Sequence, residues 1–125
     1  MKKEISSLSA PKAIGPYSQA ILSGDTLYVS GNIPVNPSDG GIPDGIEAQT
    51  KQVFENMKAV LKEAGMDFSD VVKTTAFLTD LDNFAAFNAL YSDYFIAPYP
   101  ARSCVQISAL PKGGLIEVEA TVVLD

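Results

Sequence analysis

The sequence predicts an α+β fold in which two amphipathic helices cover one face of a β-sheet. Two stretches carry apolar residues at three- and four-residue steps, which is the spacing of a buried helix face. Other stretches are rich in β-branched residues or alternate polar with apolar positions, as strands do. No repeat, low-complexity tract or long linker interrupts the chain, so we expect a single domain over residues 1–125.

The first part of the chain is predicted to form a hairpin followed by a loop. The turn sequence Ser23-Gly24-Asp25 separates two extended segments, 20–22 and 26–31. Residues 34–45 contain three Pro and three Gly, which favours a loop without regular structure.

Two helices are predicted from the apolar periodicity. The first begins near Asp44, where Glu47 completes a capping-box pattern, and ends at Gly65. The second runs from about residue 81 to residue 95 and is capped by one of the two aspartates at its start. Their apolar stripes, which we expect to lie in the core, are Ile46, Val53, Phe54, Met57, Val60, Leu61 and Ala64 in the first and Phe84, Phe87, Tyr91, Tyr94 and Phe95 in the second.

Three further strands are predicted in the rest of the chain. Residues 71–78 are β-branched and uncharged except at Lys73, which indicates a strand buried on much of both faces. The segments 101–109 and 115–124 flank Leu110-Pro111-Lys112-Gly113-Gly114 and are expected to pair as an antiparallel hairpin.

A hairpin centred on the Lys-Gly pair of that loop would have one polar and one apolar face. Arg102 and Cys104 would share the polar face with Glu117 and Glu119. The apolar face would rest on the helices and give a two-layer sandwich. Composition alone leaves open whether the polar face meets water or lines a cleft or subunit contact in which Arg and Glu do chemistry.

Charge and composition exclude several classes of function. The chain has 9 Lys plus Arg against 15 Asp plus Glu, and this net negative charge disfavours nucleic acid as a partner. It contains no His, which excludes Ser-His-Asp and Cys-His catalysis, and the single Cys104 allows neither an internal disulfide nor a multi-thiolate zinc site. An enzyme of this composition would use carboxylates, Arg, Lys, Tyr, a thiol or backbone amides.

The sequence offers no candidate for membrane insertion or export. No apolar run approaches the ~20 residues needed to span a bilayer. Residues 5–9 are too polar and too short for the core of a signal peptide. We therefore expect a soluble, cytoplasmic protein without a membrane partner.

Five short blocks occur in a specific order along the chain: Gly15-Pro16-Tyr17-Ser18-Gln19-Ala20, Ser30-Gly31-Asn32-Ile33-Pro34, Lys73-Thr74-Thr75 with Phe77, Pro100-Ala101-Arg102-Ser103-Cys104-Val105, and Ile116-Glu117-Val118-Glu119-Ala120. Their order and spacing resemble the Rid family of YjgF-like reactive intermediate deaminases, and its RidA-type branch in particular. The resemblance covers essentially the whole chain. Two features depart from the family pattern: Asn32 stands where the family more often has glutamine, and the segment 97–100 is unusual. These departures bear on which substrate side chains the cleft prefers more than on the type of reaction.

The resemblance implies a fold, an assembly and a reaction. The fold would be a chorismate-mutase-like two-layer sandwich with a mixed β-sheet on two helices. The assembly would be a homotrimer with sheets inside, helices outside and clefts between subunits. The reaction would be hydrolysis of 2-imino acids such as 2-iminopropanoate and 2-iminobutanoate to 2-keto acids and ammonia, with neither a metal nor an organic cofactor.

The resemblance also assigns roles to individual residues. Arg102 matches the arginine that holds the substrate carboxylate, and Glu117 matches the glutamate that holds the attacking water. Cys104 matches a position whose backbone groups touch the substrate and the water. Further substrate-binding positions that line the cleft are Tyr17, Ser30, Gly31 and Asn88.

The residues taken alone leave other roles open. Arg102 could form a salt bridge with Glu119, and periodicity does not distinguish Glu117 from Glu119 as the catalytic carboxylate. Cys104 has no evident base to generate a thiolate, which favours a half-buried strand position. The structural alternatives for Ser30-Gly31, Asn88 and Tyr17 are a β-bulge, a structural hydrogen bond and a packed loop side chain.

The predicted hairpin also constrains the site. Glu117 would lie opposite Ser108, about 20 Å along the strand from Arg102, so the pair could not share a small substrate within one chain. The expected site therefore combines Arg102 of one chain with Glu117 of the next. An alternative function is a trimeric binding or regulatory protein for a small keto acid, which would need the arginine and not the glutamate.

Overall fold

A computed structural model describes residues 1–124, and Asp125 lies outside them. The helices are α1 (Ile46–Glu63) and α2 (Phe84–Tyr94), and the strands are β1 (Lys2–Ile5), β2 (Ala20–Ser23), β3 (Thr26–Asn32), β4 (Val71–Leu78), β5 (Ala101–Gln106) and β6 (Ile116–Val123). The six strands form one mixed sheet in the order β1-β2-β3-β6-β4-β5. Within this part of the chain no helix has the length and apolar character needed to cross a lipid bilayer.

The α+β class and the two-layer arrangement are confirmed. The hairpin of β2 and β3 and the loop that follows lie where the sequence predicts them. The second helix begins with a 3-10 turn at Leu81–Asn83, which Asp80 caps by accepting from the Asp82 N–H at 2.8 Å. Residues of both predicted apolar stripes lie in the core, which shows that the periodicity identified the buried helix faces.

Two features of the N-terminal half differ from the prediction. The capping box of Asp44 and Glu47 is wrong, because Gly45 stands at the N-cap of α1 with φ of 87° and no side chain caps the helix. Gly65 does end the helix region with a positive φ of 73°. The edge strand β1 was not predicted, since three of its four residues are exposed and carry charge in place of an apolar alternation.

The predicted hairpin between the last two strands is wrong. β4 lies between β5 and β6, pairing with β5 in parallel and with β6 antiparallel. The order β4–α2–β5 is a crossover unit, whose helical connection brings the second strand parallel to the first. The connection over residues 107–115 then crosses the end of β4, so that β6 can bond to β3 on one side and to β4 on the other.

This topology also changes which side chains share a face. Arg102 pairs with Thr74, which is fully buried beneath the helices, whereas Glu117 pairs with Phe77 on the opposite, outer face. The predicted common polar face for Arg102 and Glu117 is therefore wrong. β4 is buried on its helix side as predicted, whereas on its outer side Thr75 and Phe77 are half-buried and Lys73 is exposed in the single chain.

The core is organised around the ring of Phe54 on α1. This side chain is completely buried, and its ring centroid lies 4.9–6.4 Å from five other aromatic rings. Those rings belong to Phe68, Phe87, Tyr91, Tyr94 and Phe95. Edge-to-face and stacked pairs of this kind add to the apolar burial, so the cluster fixes α2 against α1.

We expect Phe54→Ala to lower the free energy of unfolding by about 3–5 kcal/mol, because it removes a buried ring and leaves a cavity among the remaining ones. Denaturant titration measures this change. Tyr99→Ala is the matched control, since Tyr99 is 60% exposed, and its effect should stay below about 0.5 kcal/mol. Equal effects of the two substitutions would contradict the central position of Phe54.

Candidate active site

A cleft of about 770 Å³ brings together four of the predicted site residues, Tyr17, Ser30, Gly31 and Glu117. They come from the loop before β2, from the end of β3 and from the start of β6. Much of the remaining wall is apolar and includes Leu8, Ile14, Ile33, Val35 and Val60. A carboxylate therefore faces a cleft that is large enough for a small organic molecule.

Gly31 is the residue that lets the Glu117 side chain lie against the backbone of β3. The regular pairing of β3 with β6 is interrupted between Val29 and Asn32, which confirms the predicted alternative of a bulge at this position. A Cβ atom added to Gly31 would stand 2.6 Å from Cδ and 2.8 Å from Oε2 of Glu117. Only glycine leaves this space, so the bulge and the glutamate form one local unit.

Hydrogen bonds hold the loop that carries Tyr17 against the strand that carries Gly31 and against residues 7–11. The Ser30 hydroxyl donates to the carbonyl of Ser18 at 2.6 Å. The Gln19 side chain accepts from the N–H of Ser7 at 2.7 Å and donates to the carbonyl of Pro11 at 2.8 Å. Sequence reasoning missed this role of Gln19, although the residue lies in one of the five blocks that carry the family resemblance.

The Glu117 carboxyl group is half-buried and electrostatically perturbed. Burial raises its pKa above the ordinary value, and the negative charge of Glu119 raises it further. A carboxyl group whose pKa is raised in a cleft is suited to accept and return protons during a reaction. The geometry thus distinguishes Glu117 from the exposed Glu119, which periodicity could not do.

Arg102 belongs to a second cluster, on the helix side of the sheet. Its Nη1 donates to Oδ1 of Asn88 at 2.8 Å. Two of the predicted substrate-binding residues are therefore in direct contact. The guanidinium carbon lies 4.8 Å from the ring centroid of Tyr91 and within 5.6 Å of two phenylalanine rings. Sequence periodicity identified these aromatic residues as core and missed their contact with the arginine.

Cys104 is half-buried on β5, two residues from Arg102. Burial raises the pKa of its thiol, an effect that the nearby Arg102 charge only partly opposes. A thiol with a raised pKa stays protonated at neutral pH and is a poor nucleophile. The structure therefore favours a backbone or packing role for Cys104 over covalent catalysis.

The two clusters lie on opposite faces of the same sheet. Glu117 pairs with Phe77 and, through β4, with Val105, which is three residues or about 10 Å along β5 from Arg102. The side chains of Arg102 and Glu117 leave the sheet in opposite directions. The same argument excludes a salt bridge between Arg102 and Glu119 within one chain, because Glu119 pairs with Thr75 on the outer face.

The cleft also contains two cations that the sequence did not single out. Lys12 and Lys112 line it together with Glu117. Lys112 has a positive φ of 57°, which is uncommon outside glycine, and was predicted only as part of a turn. The left-handed backbone conformation of Lys112 beside the cleft is what marks this residue. That conformation is visible in the structure and not in the sequence.

Comparison with known proteins assigns the chain to a family. The family model described as Endoribonuclease L-PSP matches residues 7–124. The chain belongs to the YjgF/Rid family. Over 124 residues it is 46% identical to human 2-iminobutanoate/2-iminopropanoate deaminase, a match that covers 98% of this chain and 90% of the human one. Over 121 residues it is 50% identical to a RutC family protein of Pyrococcus horikoshii, with 96% of each chain covered.

Solved structures of Rid family proteins have the same fold. The YjgF gene product of E. coli matches with a TM-score of 0.95 and 44% identity, over 98% of this chain and 99% of that one. E. coli TdcF, whose crystal structure contains bound serine, matches with a TM-score of 0.95 and 43% identity over the same shares of the two chains. The resemblance drawn from the five blocks is thereby confirmed.

We expect Glu117→Gln to raise the midpoint of thermal unfolding near pH 8. With its pKa raised in the folded state, ionised Glu117 destabilises the fold, and that effect grows as pH rises through the folded-state pKa. Below about pH 3 the carboxyl is protonated in both states and the two proteins should have similar midpoints. Thermal scans across this range measure the difference, and a Gln variant that is less stable at every pH would contradict the raised pKa.

We expect Gly31→Ala to destabilise the wild-type chain by about 0.5–1.5 kcal/mol, because the new Cβ overlaps the Glu117 side chain and forces it into another conformation. The same substitution in a Glu117→Ala background should have a smaller effect, since the overlapping atoms are gone. Denaturant titration of the four proteins completes the double-mutant cycle. Additive effects would show that Gly31 and Glu117 are not one structural unit.

Proposed function

We propose that this protein hydrolyses 2-imino acids, including 2-iminopropanoate and 2-iminobutanoate, to 2-keto acids and ammonia. The observation that carries the proposal is a half-buried carboxyl group with a raised pKa in a cleft, in a chain that also holds an arginine ready to bind a carboxylate. Mammalian relatives that carry the name of this activity, at 46% identity for the human protein, support it.

Arg102 would bind the carboxylate of the imino acid. A guanidinium group pairs with both oxygens of a carboxylate and thereby orients it, and hydrogen bonds to charged groups contribute roughly 1.5–3 kcal/mol. Asn88 occupies one N–H of Nη1 and leaves the other donors available. Lysine would supply the charge without this orientation.

Glu117 would position the water and transfer protons. A protonated imine is already electrophilic, so a water oxygen can bond to its carbon while Glu117 accepts the proton that the water loses. Glu117 then gives this proton to the nitrogen. As the C–N bond breaks and ammonia leaves, the C=O bond of the 2-keto acid forms and Glu117 accepts the remaining hydroxyl proton. A positioned acid–base group of this kind contributes about 10²- to 10⁴-fold to the rate.

The site would be formed between neighbouring copies of the chain in a homotrimer. The two clusters lie on opposite faces of one sheet, so Arg102 and Glu117 of the same chain cannot hold one small substrate. The outer face carries Tyr28 and Val105, which are 54% and 43% exposed in the single chain. Burial of such side chains by a second copy would favour association, and a closed ring of three would contain three equivalent sites.

A second candidate function is binding of a small carboxylate without catalysis. The bound serine in the structure of E. coli TdcF, which is 43% identical to this chain, favours a site for an amino or keto acid in this fold. Such a protein would need Arg102 but would not need Glu117. Loss of iminopropanoate generated in situ, measured with and without the wild-type protein, distinguishes the two functions.

We expect the Arg102→Ala variant and the Glu117→Ala variant each to be inactive alone. Trimers that contain both variants should regain activity. If each site takes its arginine from one chain and its glutamate from the next, random trimers of the two variants regenerate about one quarter of the sites. The variants are co-refolded in equal amounts, and the rate of 2-iminopropanoate loss is measured per chain.

The control is each variant co-refolded with itself, which should stay inactive. A mixture as inactive as its components would contradict a site shared between chains. Activity of Glu117→Ala alone at the wild-type level would contradict the assignment of the water to Glu117.

A further inference from the structure

We propose that Tyr91 is a positioning residue that holds the Arg102 guanidinium in its carboxylate-binding orientation before substrate arrives. This inference rests on the proposed function, in which Arg102 holds the substrate carboxylate. It concerns a side chain that the apolar periodicity of α2 identifies only as part of the core. Tyr91 would not touch the substrate and would act through the arginine.

The Arg102 guanidinium lies against a wall of aromatic rings from α2. Its central carbon is 4.8 Å from the ring centroid of Tyr91, 5.5 Å from that of Phe84 and 5.6 Å from that of Phe87. These distances lie within the range over which a cation is attracted to the face of an aromatic ring. Asn88, on the same helix, adds a hydrogen bond of 2.8 Å that fixes the rotation of the guanidinium plane.

Tyr91 is held in position by a hydrogen bond in addition to its packing. Its hydroxyl lies 2.8 Å from the Thr74 hydroxyl, and both side chains are buried. Thr74 is the cross-strand neighbour of Arg102, so the hydrogen bond sets the ring directly beside the strand position of the arginine. The ring of Phe95 stacks on Tyr91 with a centroid distance of 4.3 Å and an interplanar angle of 26°.

This support matters because Arg102 itself is exposed on an edge strand. An exposed arginine samples many rotamers, and a ligand that needs one of them binds less tightly for that reason. A fixed ring beside the guanidinium removes much of this loss. Burial raises the pKa of the Tyr91 hydroxyl, so it stays neutral and does not compete with the substrate as an anion.

The experiment compares Tyr91→Leu with Phe95→Leu as a matched control. Both substitutions remove a buried ring from the same cluster, and only the first removes a ring that contacts Arg102. Calorimetry measures the Kd of 2-ketobutyrate, and the in situ imine assay measures KM and kcat for 2-iminopropanoate. A Tyr91→Phe/Thr74→Val double variant keeps the ring and replaces both hydroxyl partners with apolar groups.

We expect Tyr91→Leu to raise Kd and KM about fivefold to tenfold with kcat nearly unchanged, as the loss of one cation–π contact implies. Phe95→Leu should lower the unfolding midpoint by a similar amount and raise Kd by no more than about twofold, because the hydrogen bond to Thr74 still holds the Tyr91 ring beside Arg102. The double variant should bind within about threefold of wild type, because the ring at position 91 is kept and still packs on Phe95. An unchanged Kd for Tyr91→Leu, or an equal rise for Phe95→Leu, would overturn the positioning role.

The binding measurement separates this inference from the proposed function. A wild-type protein that binds 2-ketobutyrate without accelerating imine loss would contradict the deaminase proposal, and the Kd comparison would still test Tyr91. Acceleration by the wild type with no effect of Tyr91→Leu on Kd or KM would leave the deaminase proposal intact and contradict the positioning role.

Discussion

The position of β4 between β5 and β6 is the constraint on which the rest of the molecule depends. It sends the Arg102 side chain to the helix face and the Glu117 side chain to the outer face. Each then acquires its own environment, one built from aromatic rings and an amide, the other from a bulge and an apolar cleft. A hairpin of β5 and β6 would have placed both side chains on one face of the sheet, about 20 Å apart, and allowed neither arrangement.

The two environments act on different properties of their charged groups. The carboxyl group of Glu117 is made less acidic by burial and by Glu119, which favours proton exchange. The orientation of the Arg102 guanidinium is restrained by aromatic rings and by Asn88. Hydrolysis of a small acid with an electrophilic carbon needs both kinds of group. Because one chain cannot bring them together, the proposed reaction depends on the proposed assembly.

Much of the fold could be predicted from the sequence, because helix faces, turns and strand runs are local patterns. The stripe of α1 around Phe54 and the limits of β4 agree with the prediction. The capping box at Asp44 failed because Gly45 adopts a positive φ, and β1 was missed because a charged edge strand lacks the apolar alternation. Most of the candidate site residues lie in the five blocks. The roles of Gln19, which lies in the first block, and of Lys112 depend on tertiary contacts that no local pattern shows.

The sequence by itself determined the class of fold, the buried faces of the helices and the set of chemical groups available, since each depends on residue type and on spacing within one segment. Only the tertiary structure decided which strands are neighbours, which face each side chain takes and which residues meet. The physical reason is that strand order depends on the crossover through α2 and on competition for the two edges of β4. The alternation of polar and apolar residues cannot resolve that competition. It describes one strand and does not say which strand lies beside it.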